Sequence, residues 1–130
     1  AVIAKESLQG GRMDAIDAEV GKANAGDAPA ESAWEAGTKI VRECGLDGHL
    51  MGMPPEQARF LGHSIGLHLD ETPVVARGFP RPLLVGGTMA IEPNVIFSDG
   101  AIGVEDSWLR TEDGMECLTA GDSIPLHQEW

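Results

Sequence analysis

The chain has 130 residues, 42% of them hydrophobic and 23% charged, a composition that suits one globular domain, or part of one, with a real core. Its formal charge of −12 weighs against nucleic acid or an anionic membrane as a partner, since both recruit Lys and Arg. Only Cys44 and Cys117 are present, far apart and without a CxxC pair, so neither a disulfide framework nor a structural zinc site is expected; reduced thiols in the cytoplasm are.

In chain order, the opening AVIA run reads as the end of a strand. From about Arg12 to Asn24, Met13, Ile16 and Val20 recur at helical spacing, with acidic residues early, where the helix dipole favours them. AGDAPAE is a stop and restart, with Asp27 placed to serve near the N-terminus of a second helix. That helix is expected over about Pro29 to Cys44, closing at Gly45 and carrying Trp34, Ile40 and Val41. MGMPPEQ is a proline-containing loop. The remainder, up to Ile124, alternates short strands with Gly- and Pro-rich turns. Helices grouped ahead of an antiparallel sheet make the fold class α+β. No repeat, apolar span of membrane length or signal-peptide pattern occurs in the sequence.

Three positions in the strand-rich part carry chemistry. His63 follows Gly62 and precedes Gly66, so the backbone there can turn sharply and approach a ligand. Glu92 lies in TMAIEPNVIF, an apolar run that reads as a largely buried strand ended or bent near Pro93. A carboxylate in such a place needs a metal, an Arg or a set of donors facing it. Glu105 lies in AIGVEDSWL, a second strand-like run in which it shares a face with Gly103 and Ser107, while Asp106 points the other way. His68 and Asp70 would share a face of one strand, lining a substrate pocket or forming a solvated polar edge. Imidazole and carboxylate donors suit divalent ions such as Mn(II), Co(II) or Zn(II), and a bridging carboxylate can hold two of them roughly 3.5–4 Å apart. Taken singly, each of these residues is more often structural; it is the combination that points to a metal site.

The stretches FLGHSIGLHLDETP, AIEPN and GVEDSWLRTEDGMECLT together resemble the second half of the catalytic domain of the creatinase, Xaa-Pro peptidase and methionine aminopeptidase superfamily, the pita-bread fold. PVVARGFPRPLLVGG resembles the linking stretch of its Xaa-Pro dipeptidase-like members, and the likeness covers roughly Gly26 to Thr119. The resemblance implies a domain spanning the whole chain, built of helices packed on a curved antiparallel sheet. It also implies metal-dependent hydrolysis of a peptide bond near the substrate's N-terminus. His63 would be a metal ligand, Glu92 a ligand that also handles the proton of the attacking water, and Glu105 the carboxylate bridging two ions. A homodimeric full-length protein goes with the family.

The departures from the family pattern are equally specific. The family's two further ligands are aspartates ten residues apart that precede this region, and Asp14, Asp17, Asp27 and Asp47 do not supply that spacing. The expectation is therefore a C-terminal piece of a longer protein, inactive by itself, with those aspartates upstream of Ala1. Asp70 stands where Xaa-Pro enzymes usually have a substrate-facing His, and Gly103 where they usually have an Arg. A catalytically silent binding domain and a creatinase-like hydrolase of a small C–N substrate stay open as alternatives.

Overall fold

The computed structural model describes residues 2–119, with side chains from Arg12 onward. Two helices, α1 (Val2–Ala23) and α2 (Ala30–Glu43), precede a short 3-10 turn (Asp47–His49) and seven strands: β1 (Gly62–Ile65), β2 (Glu71–Val75), β3 (Thr88–Ile91), β4 (Asn94–Phe97), β5 (Gly100–Gly103), β6 (Asp106–Thr111) and β7 (Gly114–Cys117). Five of them form an antiparallel sheet in the order β2-β1-β3-β6-β7, and β4 and β5 form a separate hairpin. The expected α+β class is the fold observed.

The hydrophobic pattern explains how the layers meet. Met13, Ile16 and Val20 line one side of α1 and are fully buried, as are Ala33 and Val41 on α2. They cover Met89 and Ile91 of β3, Trp108 of β6 and Leu61, which together form the core. Gly21 lets α1 come down directly on Trp108: a Cβ there would stand 2.3 Å from the indole ring. The closure of α2 at Gly45 matches expectation. Gly45 adopts φ +68°, and its N–H and that of Leu46 return to the carbonyls of Arg42 and Val41.

Several expectations need correction. AVIA is not the end of a strand, because α1 begins at Val2 and is much longer than the segment marked by Met13, Ile16 and Val20. The β-branched residues that suggested a strand express a weak local preference that a continuing helix overrides. Asp27 does not cap α2, whose N-cap is Pro29; the N–H groups of Ala30 and Glu31 bond instead to the carbonyls of Arg81 and Phe79. AIGVEDSWL is not one strand but two, broken at Val104 and Glu105. His68 and Asp70 lie in the turn between β1 and β2 rather than on a strand. The part of the expected strand-and-turn alternation from residue 120 to Ile124 lies outside the described residues.

Candidate functional site

The register of the sheet assembles the site. In β1, His63 faces Ala90 of β3, and Ala90 faces Ser107 of β6 on the other side. Glu92 is two residues beyond Ala90 and Glu105 two before Ser107, so the pleat sends His63, Glu92 and Glu105 to one face. The opposite face carries Met89, Ile91 and Trp108 into the core under the helices. Asp106 falls on that helix side, as expected.

Glu92 and Glu105 sit where the ladder opens. The final β3–β6 rung is Ile91 with Asp106, so the two glutamates emerge opposite each other at the same end. The backbone N–H of Glu92 is still tied to the carbonyl of Leu61 at 2.8 Å. Pro93, lacking an N–H, separates β3 from β4 and turns the chain into the hairpin, where Asn94 pairs with Gly103. Glu92, Asn94, Gly103 and Glu105 line an open cavity of about 270 Å³. Burial, the charge of Glu105 and that of Asp70 raise the pKa of Glu92, while His63 opposes the shift.

His63 is buried, and its ring is oriented by its own strand. Nδ1 lies 3.1 Å from the carbonyl oxygen of Ser64. A carbonyl only accepts, so Nδ1 carries the proton and donates; in a neutral ring Nε2 then presents a lone pair. That nitrogen faces Asp70 Oδ1 at 3.0 Å and Glu92 Oε1 at 3.6 Å. A lone pair and two carboxylate oxygens directed at one another repel unless a proton or a metal cation lies among them. The donor types therefore fit a divalent ion in kind. They do not close around one: among the described residues, no three His, Cys, Asp or Glu side chains form a group able to hold a metal by themselves.

The remaining expected positions divide. Asp70, expected at a substrate pocket or a solvated edge, lies directly against the His63 ring with a side chain 73% exposed. His68 is exposed in the same turn, and its backbone N–H donates to Glu71 Oε1 at 2.9 Å. Reading the sequence missed Asn94, whose Oδ1 is buried without a hydrogen-bond partner beside the two glutamates. The signal available was its place two residues after Glu92, just across the Pro93 break.

The sheet thus brings an inward-facing His and two glutamates at strand ends to one face. The model of metallopeptidase family M24 matches residues 13–112, and the chain belongs to that family. None of the curated proteins matches the chain. Among solved structures, it is similar to an X-Pro aminopeptidase from Thermotoga maritima MSB8, at 20% identity and TM-score 0.74 over 90% of this chain and 31% of that one. It is also similar to a prolidase from Pyrococcus furiosus, at 23% identity and TM-score 0.75 over 87% of this chain and 32% of that one. A methionine aminopeptidase from Rickettsia prowazekii aligns at 17% identity and TM-score 0.66, over 92% of this chain and 53% of that one. The chain thus spans about a third of the first two proteins and about half of the third. These likenesses establish the pita-bread fold, and family membership makes divalent metal ions the cofactor class.

Proposed function

We propose that this chain forms part of a longer peptidase that hydrolyses a peptide bond near the N-terminus of its substrate, with His63, Glu92 and Glu105 among the ligands of two divalent ions. Mn(II), Co(II) and Zn(II) all suit this mixture of imidazole and carboxylate. The observation that carries the reading is the confrontation of His63 Nε2 with two carboxylate oxygens on the sheet face where Glu105 also emerges. Such ions supply Lewis acidity that polarises a carbonyl and makes water nucleophilic near neutral pH.

The side chains of this chain have separate tasks in that scheme. The Ser64 carbonyl holds the His63 ring so that Nε2 would be the atom offered to an ion. Glu92 has a carboxyl pKa above the ordinary range, which brings it closer to neutrality and suits its Oε1 to take a proton from water and pass it to the leaving amine. Glu105, opposite Glu92, would be the carboxylate shared between the two ions. Asp70 lies against the same nitrogen, on an exposed turn beside the proposed ions. Asp70 and His68 then face the substrate. A creatinase-like action on a small C–N substrate is the second reading. It is favoured by Gly103, which places no cationic side chain in the cavity beside Glu92 and Glu105. The proposal includes a homodimeric full-length protein, by family resemblance, and a cytoplasmic setting, from the acidic composition and the free thiols of Cys44 and Cys117.

Two measurements test it. Titration of this chain with Co(II) should shift the ring resonances of His63 in NMR spectra, and Glu92→Gln should weaken the effect. A ring that stays unresponsive to the metal in the full-length protein as well removes His63 from the ligand set. The full-length protein should hydrolyse Xaa-Pro dipeptides only with divalent metal present, and Glu105→Gln should abolish that activity; an active Gln variant refutes the bridging role.

A further inference from the structure

A second, larger cavity lies away from this site and shares no lining residue with it. It measures about 600 Å³ and sits where α2, the turn after it and the segments flanking β1 and β2 meet. That volume falls within the range of about 300–1,000 Å³ usual for small-molecule sites. Trp34, Thr38, Val41 and Arg42 border it from one side of α2, at the spacing that puts residues on a single helical face.

The charge of the cavity is opposite to that of the molecule. The chain has nine Lys and Arg against 21 Asp and Glu, yet Arg42, Arg59 and Arg77 all line this one space, with Asp47 the only carboxylate there. Three positive groups against one negative leave a lining charge of +2. Among the described residues the only ion pairs within reach are those of His63, and none of the three guanidinium groups has an anionic partner. All three arginines are exposed at the cavity, and each can offer an entering oxyanion a planar fork of N–H donors. The walls are not loose. Gln57 Nε2 donates to the carbonyls of Asp47 and Leu50, each at 2.9 Å, and the N–H of Ala58 bonds to the Met51 carbonyl, which fixes the loop carrying Arg59. Trp34 supplies an aromatic surface beside these charges.

We propose that this cavity binds a small polyanion, a phosphate ester or a polycarboxylate, with its charged end held by Arg42, Arg59 and Arg77 and any apolar part resting on Trp34. The two ligand types share the oxyanion chemistry that the cavity recognises. Neither depends on the peptidase reading, and failure of one leaves the other intact.

Isothermal titration calorimetry of the protein with phenyl phosphate in one arm and citrate in the other tests the proposal and separates the two types. Saturable one-to-one binding of either probe is expected, weakened about tenfold by each of Arg42→Gln, Arg59→Gln and Arg77→Gln, the loss of one charge-assisted contact. Arg81→Gln removes the same charge outside the cavity and should leave binding unchanged. Trp34→Ala should weaken phenyl phosphate more than citrate. Circular dichroism confirms that each variant is folded before titration. Absence of saturable heat with both probes overturns the proposal, as does binding that Arg81→Gln reduces as much as the three cavity variants do.

Discussion

Replacement of Asp17 by Asn should stabilise the protein at neutral pH and flatten its pH dependence. Asp17 lies on α1, is only 3% exposed, and has an Oδ1 without a hydrogen-bond partner. Burial, followed by the neighbouring carboxylate of Asp106, pushes its pKa from 3.8 up to about 8, and the Trp108 side chain opposes this only in part. Between those two values the folded chain keeps a proton that the unfolded chain releases. Stability is therefore greatest below the unfolded pKa and falls as pH rises, levelling off above the folded one. At 1.36 kcal/mol per pH unit, the interval from 3.8 to 7 corresponds to about 4 kcal/mol, a large part of the ~5–15 kcal/mol that holds a domain together. The amide introduced by Asp17→Asn carries no such proton, and its N–H can serve Asp106 as a protonated carboxyl would. Urea unfolding followed by circular dichroism between pH 5 and 8 should show the variant gaining on the original protein as pH increases. Parallel curves for the two would refute the account, as would an original protein whose stability rises across this range.

Two smaller perturbations test the packing and the site. Gly21→Ala would ordinarily strengthen a helix by about 0.5–1 kcal/mol, but the new Cβ would stand 2.3 Å from the Trp108 ring, so a net loss of about 1–3 kcal/mol is expected in thermal unfolding. A variant at least as stable as the parent would show that α1 does not approach β6 this closely. Glu105→Gln removes a like charge from beside Glu92 and should lower the Glu92 pKa, a change readable in a carboxyl ¹³C NMR titration. An unmoved Glu92 titration would mean that the two glutamates do not face each other across the open end of the ladder.

How far such a site can be read from sequence depends on whether its geometry is local. The alternation of side chains along a strand is local, and so was the break at Pro93, since a residue with no N–H cannot continue a central ladder. Those two facts suffice to separate Glu92 from the core residues Met89 and Ile91 and to send Asp106 to the helix side. Little in the sequence fixes the break at Val104 and Glu105: Gly103, Glu105 and Asp106 are weak strand formers, but the side-chain alternation runs on through them. The break arises where the β4–β5 hairpin leaves the five-stranded sheet, a consequence of pairing between distant segments. The contact of Asp70 with His63 is subject to the same limit. The β1–β2 register shifts between His63 and Ser64, and the turn that follows folds Asp70 back seven residues onto the ring. A strand without that irregularity would have carried His68 and Asp70 along one edge, as the alternation implied. The burial of Asp17 was hidden for a related reason: its place on α1 follows from helical spacing, but the carboxylate that makes its charge costly comes from β6, 89 positions later in the chain. The face that carries the proposed metal ligands follows from alternation and the Pro93 break, whereas the contacts that tune their protonation are set by long-range pairing.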